Sequence, residues 1–573
     1  MTLKPLEEIT EKIEEELGSY SPVLRRLLVN RGLVNREDAF RFLNPSYDED
    51  VHDPFLMQDM ERAIERIHRA VQSGEKIAVY ADYDCDGIPG AVIMTDFFEM
   101  LGYENFEVYI PDRHKEGYGL QIPALDMLIQ KKTTLVLTVD LGITNHKEVE
   151  YCNEHRVDVI VTDHHLVHET IPNAYAVVNP KRDDCTYPDP MLCGSGVAFK
   201  LVQAFLKQYG DAYGVIPGTE KWMLDMVGLA TLSDMVPLRH ENRVLAHYGL
   251  KVFKKTRRTG LLHLLKKARV RLDMLLEDDV TFMVTPRINA AGRMDHPKRA
   301  YELLVAKESE KGFESAKLLH DLNDTRKKLV MQIMKKAKSV LSKRTVKDVI
   351  VVGDREWSIG VLGLVASKLV EEYGVSVFVW GSDEGGSILK GSCRSDESVS
   401  LVELMSQSAN LFENFGGHEG AGGFSISAQN IHFLEESLNT AYPHIAKEKK
   451  QERVFEYDTE LRLSDVTTSL YFEVQKLAPF GVGNHRPVFL FRDVLVQDVR
   501  MFGKANEHLE ILVKDPETNT SLKAISFFTK HNAFAGGSLQ KDTTISLFAS
   551  LEYSTFSYRP ELRLRIVNVH FSV

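Results

Sequence analysis

The sequence predicts an α/β protein built from a doubly wound, mainly parallel sheet, a second and smaller α/β domain joined to it by a long helix, and a C-terminal all-β barrel. Three observations predict this fold class. Strand-like and helix-like runs alternate between residues 74 and 208, a proline-free run with helical spacing covers 306–344, and short β-type runs dominate after residue 451. Alternating strands and helices are typical of parallel sheets, and closely spaced short strands are typical of small barrels.

Size and composition limit the class of protein. The chain has 573 residues, of which 43% are hydrophobic and 27% charged, as in globular proteins of several domains. It contains no uninterrupted run of 18 apolar residues, so we expect no membrane span. Its five cysteines form no C-x-x-C pair, which favours a reduced cytoplasmic protein. The net charge of −12 argues against indiscriminate nucleic-acid binding, although a local basic surface is what such binding requires.

The first 305 residues are predicted to form a helical extension, residues 1–50, and a doubly wound α/β domain, residues 51–305. The strand-like runs of that domain are Ile77–Tyr80, Phe106–Ile110, Leu135–Val139, Val157–Thr162 and Tyr175–Val178. The helix-like runs between and after them are Ile88–Leu101, Pro123–Gln130, Asn145–His155 and Gly196–Gln208. Sequential strands of such a sheet bring their carboxyl ends to one edge.

The rest of the chain divides into three further segments. Residues 306–345 are predicted to form one connecting helix, whose many lysines and arginines indicate either a solvated face or the side of a nucleic-acid groove. Residues 346–450 are predicted to form the second α/β domain, with a glycine-dense loop at Phe415–Phe424. Residues 451–573 are predicted to form the barrel.

Three aspartates follow the first predicted strand at alternate positions, Asp82, Asp84 and Asp86, just before Gly87. Two ionised carboxylates about 4 Å apart repel by roughly 4 kcal/mol at an effective dielectric constant of about 20. Such a cluster is stable when its members are exposed and spread apart, or when they bind a cation. An acidic turn that caps a helix is the simpler interpretation of this stretch.

Further metal-binding residue types follow other predicted strands. Asp140 follows Leu135–Val139, and Asp163 follows Val157–Thr162 and is succeeded by His164 and His165. Each residue alone is more often a helix cap or a polar group satisfied by hydrogen bonds. Because parallel strands end at a common edge, we expect Asp84, Asp86, Asp140 and His164 to converge there.

These stretches resemble, in order and spacing, the motifs of the DHH phosphoesterases. The matching segments are Asp82-Tyr-Asp-Cys-Asp-Gly87, Thr138-Val-Asp140-Leu-Gly-Ile, Asp163-His-His165 and Ser233-Asp-Met-Val-Pro237. Within that superfamily the sequence is most similar to the branch of single-strand-specific 5′→3′ DNA exonucleases. That similarity covers roughly residues 50–573 and rests on Pro111–Arg113, Glu116–Gly119, Arg287–Arg293, Gly391–Ser395, Gly416–His418 and Leu477–Asn484.

The resemblance implies a phosphodiesterase that uses two Mn²⁺ or Mg²⁺ ions. By match to the family motifs, the metal ligands are Asp84, Asp86, Asp140, His164 and Asp234, with Asp140 as the bridge. Asp82 is then a supporting ligand, and His164 and Asp140 also count among the catalytic groups. Two metal ions can stabilise the entering and the leaving oxygen of a phosphodiester, and a mixed carboxylate and imidazole set suits Mn²⁺.

The family motifs also imply substrate contacts. His165 and Arg287 resemble the groups that hold the scissile phosphate, and Asn289 and His418 are expected beside the same strand. A further set, Arg113, Ser392 and Arg394, is expected around the terminal 5′-phosphate. A phosphate monoester carries up to one more negative charge than a diester, so two guanidinium groups and a hydroxyl can select it.

The chain departs from the usual motifs at two cysteines and one tyrosine. Cys85 stands where alanine is common, and it and Cys393 are expected to be spectators. Tyr80 stands where related pyrophosphatases have a histidine, which removes one candidate ligand.

The β-rich end resembles an OB fold, the small barrel that binds single strands by stacking bases on aromatic rings. Its candidate contacts are Phe455, Tyr457, Phe502, Phe527, Phe528 and Tyr558, with Arg500, Lys504, Lys523 and Arg559 nearby. Most aromatic residues of a small barrel belong to its core, so either role is open for each ring.

The resemblance implies a 5′→3′ exonuclease that acts on single-stranded DNA in repair and recombination. The expected partners are single-stranded DNA, a helicase and a single-strand-binding protein, with no membrane association and a monomeric state. Two alternatives remain open: a DHH phosphodiesterase for short oligonucleotides or cyclic dinucleotides, and a non-catalytic replication scaffold.

Overall fold

A computed structural model describes residues 2–3, 8–382, 387–446, 454–503, 506–531, 534, 537–554 and 560–571. The chain divides into two compact units. The first unit contains Met1–Val51, Met235–Tyr248 and Gln451–Val573, and the second contains His52–Asp234 and Gly249–Lys450.

The second unit begins with a five-stranded sheet in which all strands are parallel. Its strands are β1 (Lys76–Ala81), β2 (Phe106–Tyr109), β3 (Thr133–Val139), β4 (Asp158–Thr162) and β5 (Ala176–Val178). They lie in the order β2-β1-β3-β4-β5. The predicted doubly wound sheet is confirmed. The order reverses direction between β1 and β3, and ligands bind beyond the carboxyl ends of strands at such a switch point.

Helices cover both faces of this sheet and complete the domain. They are Met60–Gln72, Gly87–Met100, Ile122–Gln130, His146–Glu154, Gly194–Tyr209, Leu224–Ser233, Thr259–Ala268, Glu277–Asp279, Thr285–Met294 and Lys298–Val305. The helix Gly87–Met100 is buried along most of its length, because apolar or small residues occupy nearly all of its faces. A π-helical turn, Val280–Val284, precedes Thr285–Met294. A further helix covers His240–Phe253.

The connecting helix is Ser309–Leu341, 33 residues long. It leads to a second sheet formed by β6 (Val349–Gly353), β7 (Ser376–Gly381), β8 (Ile388–Arg394), β9 (Phe412–Gly417) and β10 (Ala421–Ser427). The strand order is β9-β10-β8-β7-β6, with only the β6–β7 pair parallel. The helices of this domain are Leu362–Tyr373, Leu401–Gln407 and Ile431–Ile445.

The glycine-dense stretch of the second domain is mainly a β-hairpin, not a loop as its composition predicts. Gly416 pairs with Gly423 across β9 and β10. Phe424 of this hairpin pairs with Gly391 of the neighbouring strand β8. The absence of a side chain at Gly391 leaves room for the ring of Phe424, since a Cβ there would lie 2.1 Å from it. Interstrand packing therefore outweighs the low strand preference of glycine.

The first unit contains the N-terminal helices and a closed barrel. The helices are Glu11–Glu16, Pro22–Val29, Arg36–Leu43, Tyr47–Asp50 and Thr468–Gln475. The strands are β11 (Thr459–Glu460), β12 (Phe489–Phe502), β13 (His508–Lys514), β14 (Ser521–Ser526), β15 (Thr544–Ser554) and β16 (Glu561–Phe571). Thr2–Leu3 also pairs with Val454–Phe455. Five strands close the barrel, because β12 pairs with both β13 and β15, and β16 joins β14 to β15.

The N-terminal helices share one hydrophobic core with the barrel. Leu24, Leu27 and Leu28 are buried in the same cluster as Phe489 and Phe491 of β12. Over the described ranges, the helices include none that is both long and apolar enough to cross a membrane.

Candidate metal centre

Acidic residues extend the strands at the switch point of the parallel sheet. The backbone N–H of Asp82, the residue after β1, donates to the carbonyl of Val139 at 3.1 Å. The N–H of Asp140, the residue after β3, donates to the carbonyl of Thr162 at 3.0 Å. The ladder therefore continues one residue beyond each strand, and Asp82 and Asp140 come to the same edge.

Asp86 is held by the first turn of a helix that is distant in sequence. Its two carboxylate oxygens accept from the backbone N–H groups of Gly194, at 2.6 Å, and Ser195, at 2.7 Å. These groups begin the helix Gly194–Tyr209, where free N–H groups and the helix dipole favour negative charge. The carboxylate of Asp86 is thereby fixed in position.

Asp140 lies against the same helix start. A Cβ atom at Gly194 would lie 2.5 Å from the Cβ of Asp140, so only glycine fits there. Asp140 itself has a φ of 64°, in the left-handed region that few residues other than glycine, Asn and Asp adopt. Such strain is maintained only where surrounding contacts impose it, and it is frequent at functional sites.

Candidate ligand atoms form overlapping groups. Asp86, His164 and Asp234 offer atoms within 4.8 Å of one another, as do Asp82, Asp84 and Asp140. A third such group, Asp140, His164 and His165, shares one residue with each of the other two. Nε2 of His164 lies 3.1 Å from Oδ1 of Asp140, 3.7 Å from Oδ2 of Asp86 and 3.7 Å from Oδ2 of Asp234. The structure therefore brings the six sequence-predicted residues together, with Asp140 between the two groups.

The charge of the cluster calls for cations. Burial and then the neighbouring carboxylates raise the pKa values of Asp82, Asp84 and Asp140. The same causes, with Asp86 the neighbouring charge of largest effect, raise the pKa of Asp234 to about 8. Oδ1 of Asp82, Oδ1 of Asp140 and Nδ1 of His164 are buried without a hydrogen-bond partner among the described residues. Buried unpaired groups of this kind are costly unless they bind an ion, so the oxygen and nitrogen donors fit divalent metal ions.

His165 is oriented by Asp163. The carboxylate of Asp163 accepts from the backbone N–H groups of Ile143, His164 and His165, and its Oδ1 lies 2.7 Å from Nδ1 of His165. Burial opposes both shifts, yet this hydrogen bond lowers the pKa of Asp163 and raises the pKa of His165. The ring of His165 therefore carries a proton on Nδ1 and keeps Nε2 for another partner.

A basic cavity of about 420 Å³ lies between the two α/β domains of the second unit. Its walls include Tyr83, Arg113, Arg293, Ser392 and Arg394. The guanidinium of Arg113 lies over the ring of Tyr83, 4.8 Å from its centroid. The residues predicted to hold the terminal phosphate, Arg113, Ser392 and Arg394, thus line one cavity.

Arg293 is a residue of this cavity to which the sequence assigned no role. Burial, and then repulsion by Arg113, Arg326 and Arg394, lowers the pKa of Arg293 to about 9. A buried guanidinium among like charges favours an anionic ligand. The sequence does mark Arg293, since it is the last residue of the family motif that begins at Arg287.

The remaining residues predicted to contact the substrate are Arg287, Asn289 and His418. Nε of Arg287 lies 3.3 Å from Nδ1 of His320, and the guanidinium also donates to the carbonyl of Met283. The first contact joins Arg287 to the connecting helix and the second to the π-helical turn that precedes its own helix, and neither partner belongs to the Asp–His cluster. Oδ1 of Asn289 is buried without a partner among the described groups. His418 lies exposed in the turn between β9 and β10, where its backbone N–H donates to Ala421 at 2.8 Å. Their roles stay predictions.

Two further residues of the site were missed. The hydroxyl of Tyr118 donates to the carbonyl of Asp140 at 3.1 Å. Burial lowers the pKa of Lys181, and the charges of Asp234, Asp163 and Asp140 oppose that shift without cancelling it. Tyr118 falls within the Glu116–Gly119 motif, whereas nothing local distinguishes Lys181.

Cys85 and Cys393, the two cysteines at which the chain departs from the family motifs, are unreactive in this structure. Burial raises the pKa of Cys85 to about 12 and that of Cys393 to about 12, so both thiols stay protonated.

Comparison with known proteins agrees with the geometry. Family models match residues 76–231 (DHH family, N-terminal domain), 344–442 (DHHA1 domain) and 457–568 (RecJ OB domain). The fold and its domains are those of the DHH phosphoesterase superfamily.

The chain belongs to the RecJ family. It is 31% identical over 522 residues to the single-stranded-DNA-specific exonuclease RecJ of Haemophilus influenzae, a match that covers 89% of this chain and 90% of that protein. It is 34% identical over 513 residues to the RecJ of Bacillus subtilis, covering 89% of this chain. The chain spans 64% of the length of the Bacillus subtilis relative. The resemblance to single-strand-specific exonucleases is confirmed.

Solved structures support the same fold. The chain superposes on Mn²⁺-bound RecJ from Thermus thermophilus with a TM-score of 0.80 at 24% identity, over 100% of this chain and 79% of that one. A second RecJ structure, bound to manganese, gives a TM-score of 0.60 at 29% identity, over 68% of this chain and 95% of that one. Structural neighbours of this chain thus hold Mn²⁺, and another holds Mg²⁺.

Proposed function

We propose that this chain is a two-metal 5′→3′ exonuclease that hydrolyses single-stranded DNA from a 5′-phosphorylated end to 5′-mononucleotides, in DNA repair and recombination. The observation that carries the proposal is the Asp–His cluster at the switch point, together with the basic cavity in the same unit. The single-strand specificity of the named relatives supports it.

The cluster supplies the chemistry of phosphodiester cleavage. Its residues Asp84, Asp86, Asp140, His164 and Asp234 would hold the metal pair, with Asp82 in support. When bound, two divalent ions stabilise the charge that develops on the oxygens entering and leaving phosphorus. Burial lowers the pKa of His164, which keeps that imidazole neutral and its lone pair free for a ligand role.

His165 acts on the scissile phosphate. Because its Nδ1 proton is committed to Asp163, only Nε2 is left to face a substrate. The raised pKa of His165 favours the charged ring, which donates to a non-bridging phosphate oxygen. Asp163 is then a positioning residue rather than a ligand.

The basic cavity selects the end of the strand. Arg113 and Arg293 come from the first α/β domain, and Ser392 and Arg394 from the second. Tyr83, which lines the cavity, lies between Asp82 and Asp84 in the chain, so the cavity and the acidic cluster share one wall. A phosphate bound in the cavity therefore lies close to the cleavage site, which accounts for short products.

The barrel contacts the rest of the strand through an aromatic surface. On the barrel, the ring centroid of His508 lies 5.1 Å from Phe502, 5.2 Å from Phe527 and 4.8 Å from Phe528. Phe528 is 83% exposed, and the guanidinium of Arg565 lies 5.4 Å from the centre of the Phe527 ring. Each stacked base contributes about 1–3 kcal/mol.

The other barrel residues that the sequence predicts to contact the strand are paired with an acid, packed against another ring, or outside the described residues. Arg500 pairs with Glu510 at 2.8 Å and Lys523 with Glu561 at 2.8 Å, so neither cation is a strong phosphate ligand. The ring of Tyr457 packs edge-on against Phe548. Lys504, Tyr558, Arg559 and the side chain of Phe455 lie outside the described residues.

The enzyme works as a monomer in the cytoplasm, supplied with single strands by a helicase and a single-strand-binding protein. The sparse, unpaired cysteines agree with a reducing compartment. Light scattering of the purified chain and co-purification with each class of partner test these statements.

A substrate comparison tests the proposed activity. A 5′-phosphorylated single-stranded 20-mer labelled at its 3′ end is incubated with Mn²⁺, beside the same strand in a blunt duplex and a 5′-phosphorylated dinucleotide. The proposal predicts mononucleotide release from the single strand, at least about tenfold faster than hydrolysis of the dinucleotide or the duplex. Faster turnover of the dinucleotide or of a cyclic dinucleotide would establish the short-substrate phosphodiesterase instead. No Mn²⁺-dependent hydrolysis of any of these substrates would favour the scaffold.

A further inference from the structure

Tyr118 joins two residues of the metal centre through one hydroxyl group. Its oxygen lies 3.1 Å from the carbonyl oxygen of Asp140 and 3.1 Å from Nδ1 of His165. The side chain is 42% exposed, so the ring borders the open side of the site. Its ring meets the ring of His165 edge-on, with centroids 5.6 Å apart.

The direction of each hydrogen bond follows from the partners. Asp163 is an ionised carboxylate that can only accept, so Nδ1 of His165 donates to it across 2.7 Å. Nδ1 therefore cannot accept from Tyr118. The single phenolic hydrogen goes to the carbonyl of Asp140, and the phenolic oxygen is a second acceptor for the Nδ1 proton of His165.

The loop that carries Tyr118 is held in place on both sides. Glu116 accepts from the backbone N–H of Asp112 at 2.6 Å and from the hydroxyl of Tyr109. After Tyr118, the N–H of Leu120 donates to the side chain of Asn145 at 3.1 Å. These hydrogen bonds on both sides hold the loop, and the loop in turn positions the phenol ring of Tyr118.

We propose that Tyr118 is a positioning residue whose hydroxyl group holds the imidazole of His165 and the carbonyl of Asp140 in the arrangement that hydrolysis requires. The inference rests on the proposed nuclease function and adds a residue to it. Asp163 contacts the ring of His165 at Nδ1, and Tyr118 supplies a second contact that stops the ring from rotating about that bond. The same hydroxyl satisfies the carbonyl of Asp140, a residue that has a φ of 64°, in the left-handed region.

Tyr118→Phe tests the proposal because it removes only the hydroxyl and keeps the ring. We expect kcat on a 5′-phosphorylated single strand to fall roughly 10- to 100-fold, as for partners that orient metal-site residues, with KM and Mn²⁺ affinity within about twofold of the parent. Tyr103→Phe is the matched control, since Tyr103 donates its phenolic hydrogen to the carbonyl of Glu75 at the opposite end of β1. We expect the control to leave kcat within about twofold.

A double substitution separates positioning from a general structural effect. In a His165→Ala background, Tyr118→Phe should reduce the residual rate by a clearly smaller factor than in the parent, because the ring is gone and only the contact with the carbonyl of Asp140 is left to lose. An unchanged kcat in Tyr118→Phe, a change in KM alone, or full additivity with His165→Ala would each overturn the proposal.

A crystal structure of Mn²⁺-loaded Tyr118→Phe gives a readout that does not depend on activity. We expect the His165 ring to be rotated or to occupy two orientations, with His164 unchanged. If the His165 ring keeps its parent orientation in Tyr118→Phe, the inference is refuted, whatever the activity of the parent enzyme. If the parent enzyme releases no mononucleotides, only the proposed function is refuted.

Discussion

Nε2 of His164 lies 3.1 Å from Oδ1 of Asp140, although the two residues follow different strands, β4 and β3. Parallel strands bring their carboxyl ends to one edge, and this pair is where two groups of candidate ligands meet. Burial lowers the pKa of His164 and raises that of Asp140. Both shifts disfavour charge in the absence of a cation. A bound cation reverses the shift of Asp140 and favours the neutral form of His164 still more.

Asp140→Asn should abolish hydrolysis while leaving strand binding intact. Asn tolerates the φ of 64° found at this position, so the backbone survives while the charge is lost. Loss of metal stabilisation of several kcal/mol corresponds to a rate reduction of more than about 1000-fold. Turnover is measured with Mn²⁺, and strand binding by fluorescence anisotropy. Asp126→Asn, which alters an acid that accepts from Tyr151 away from the site, is the control. Retained turnover in Asp140→Asn would refute the ligand assignment.

Gly194→Ala should destabilise the protein and displace Asp140. The added Cβ would lie 2.5 Å from the Cβ of Asp140, and overpacking of this kind costs about 1–3 kcal/mol. We expect a lower Tm and weaker Mn²⁺ binding. Gly196→Ala on the same helix is the control, since its nearest contacts lie at an ordinary 3.5 Å and alanine favours helix by about 1 kcal/mol. Equal effects of the two substitutions would contradict the close approach at Gly194.

Metal affinity should depend on pH through Asp234. Its folded pKa is raised to about 8, so in the metal-free protein the carboxyl is protonated below that pH and must lose its proton to bind a cation. Mn²⁺ affinity should therefore increase with pH up to at least about 8, by about tenfold per pH unit for each proton released. Calorimetric titrations at about pH 6 and about pH 8, in buffers of different ionisation enthalpy, measure affinity and proton release together. Affinity that is independent of pH, with no proton release, would be inconsistent with this assignment.

Arg394→Ala should weaken selection of 5′-phosphorylated ends more than internal strand binding. Loss of a hydrogen bond to a charged group costs about 1.5–3 kcal/mol, or roughly 10- to 100-fold. The ratio of kcat/KM for 5′-phosphate and 5′-hydroxyl strands is the readout. Arg344→Ala, which removes a cation paired with Glu435 in the same domain, is the control. The terminal-phosphate assignment fails if the ratio for Arg394→Ala equals that of the parent.

Much of the fold follows from local patterns. The run Leu135–Val139 is apolar and ends at an acid, and the structure has a strand at Thr133–Val139 with Asp140 directly after it. Buried parallel strands are continuous apolar runs, and their common edge makes convergence predictable without knowing any distance. The predicted helical run 306–344 likewise corresponds to Ser309–Leu341.

The rest depends on contacts between segments that are far apart in the chain. Asp86 is held by the helix start at Gly194, and no local signal links those positions. Arg293 becomes part of a basic cavity only when its helix packs beside Gly360 of the second α/β domain. The glycine-dense hairpin was missed because the aromatic ring of Phe424, packed over Gly391, stabilises strands that glycine alone disfavours.

Tyr83 lines the basic cavity and is bonded covalently to its neighbours Asp82 and Asp84. Movement of the second α/β domain can carry Ser392 and Arg394 away, but it cannot alter the spacing between Tyr83 and the adjoining carboxylates. Under the proposed function, this fixed covalent spacing, and not the position of the second domain, sets the size of each excised piece.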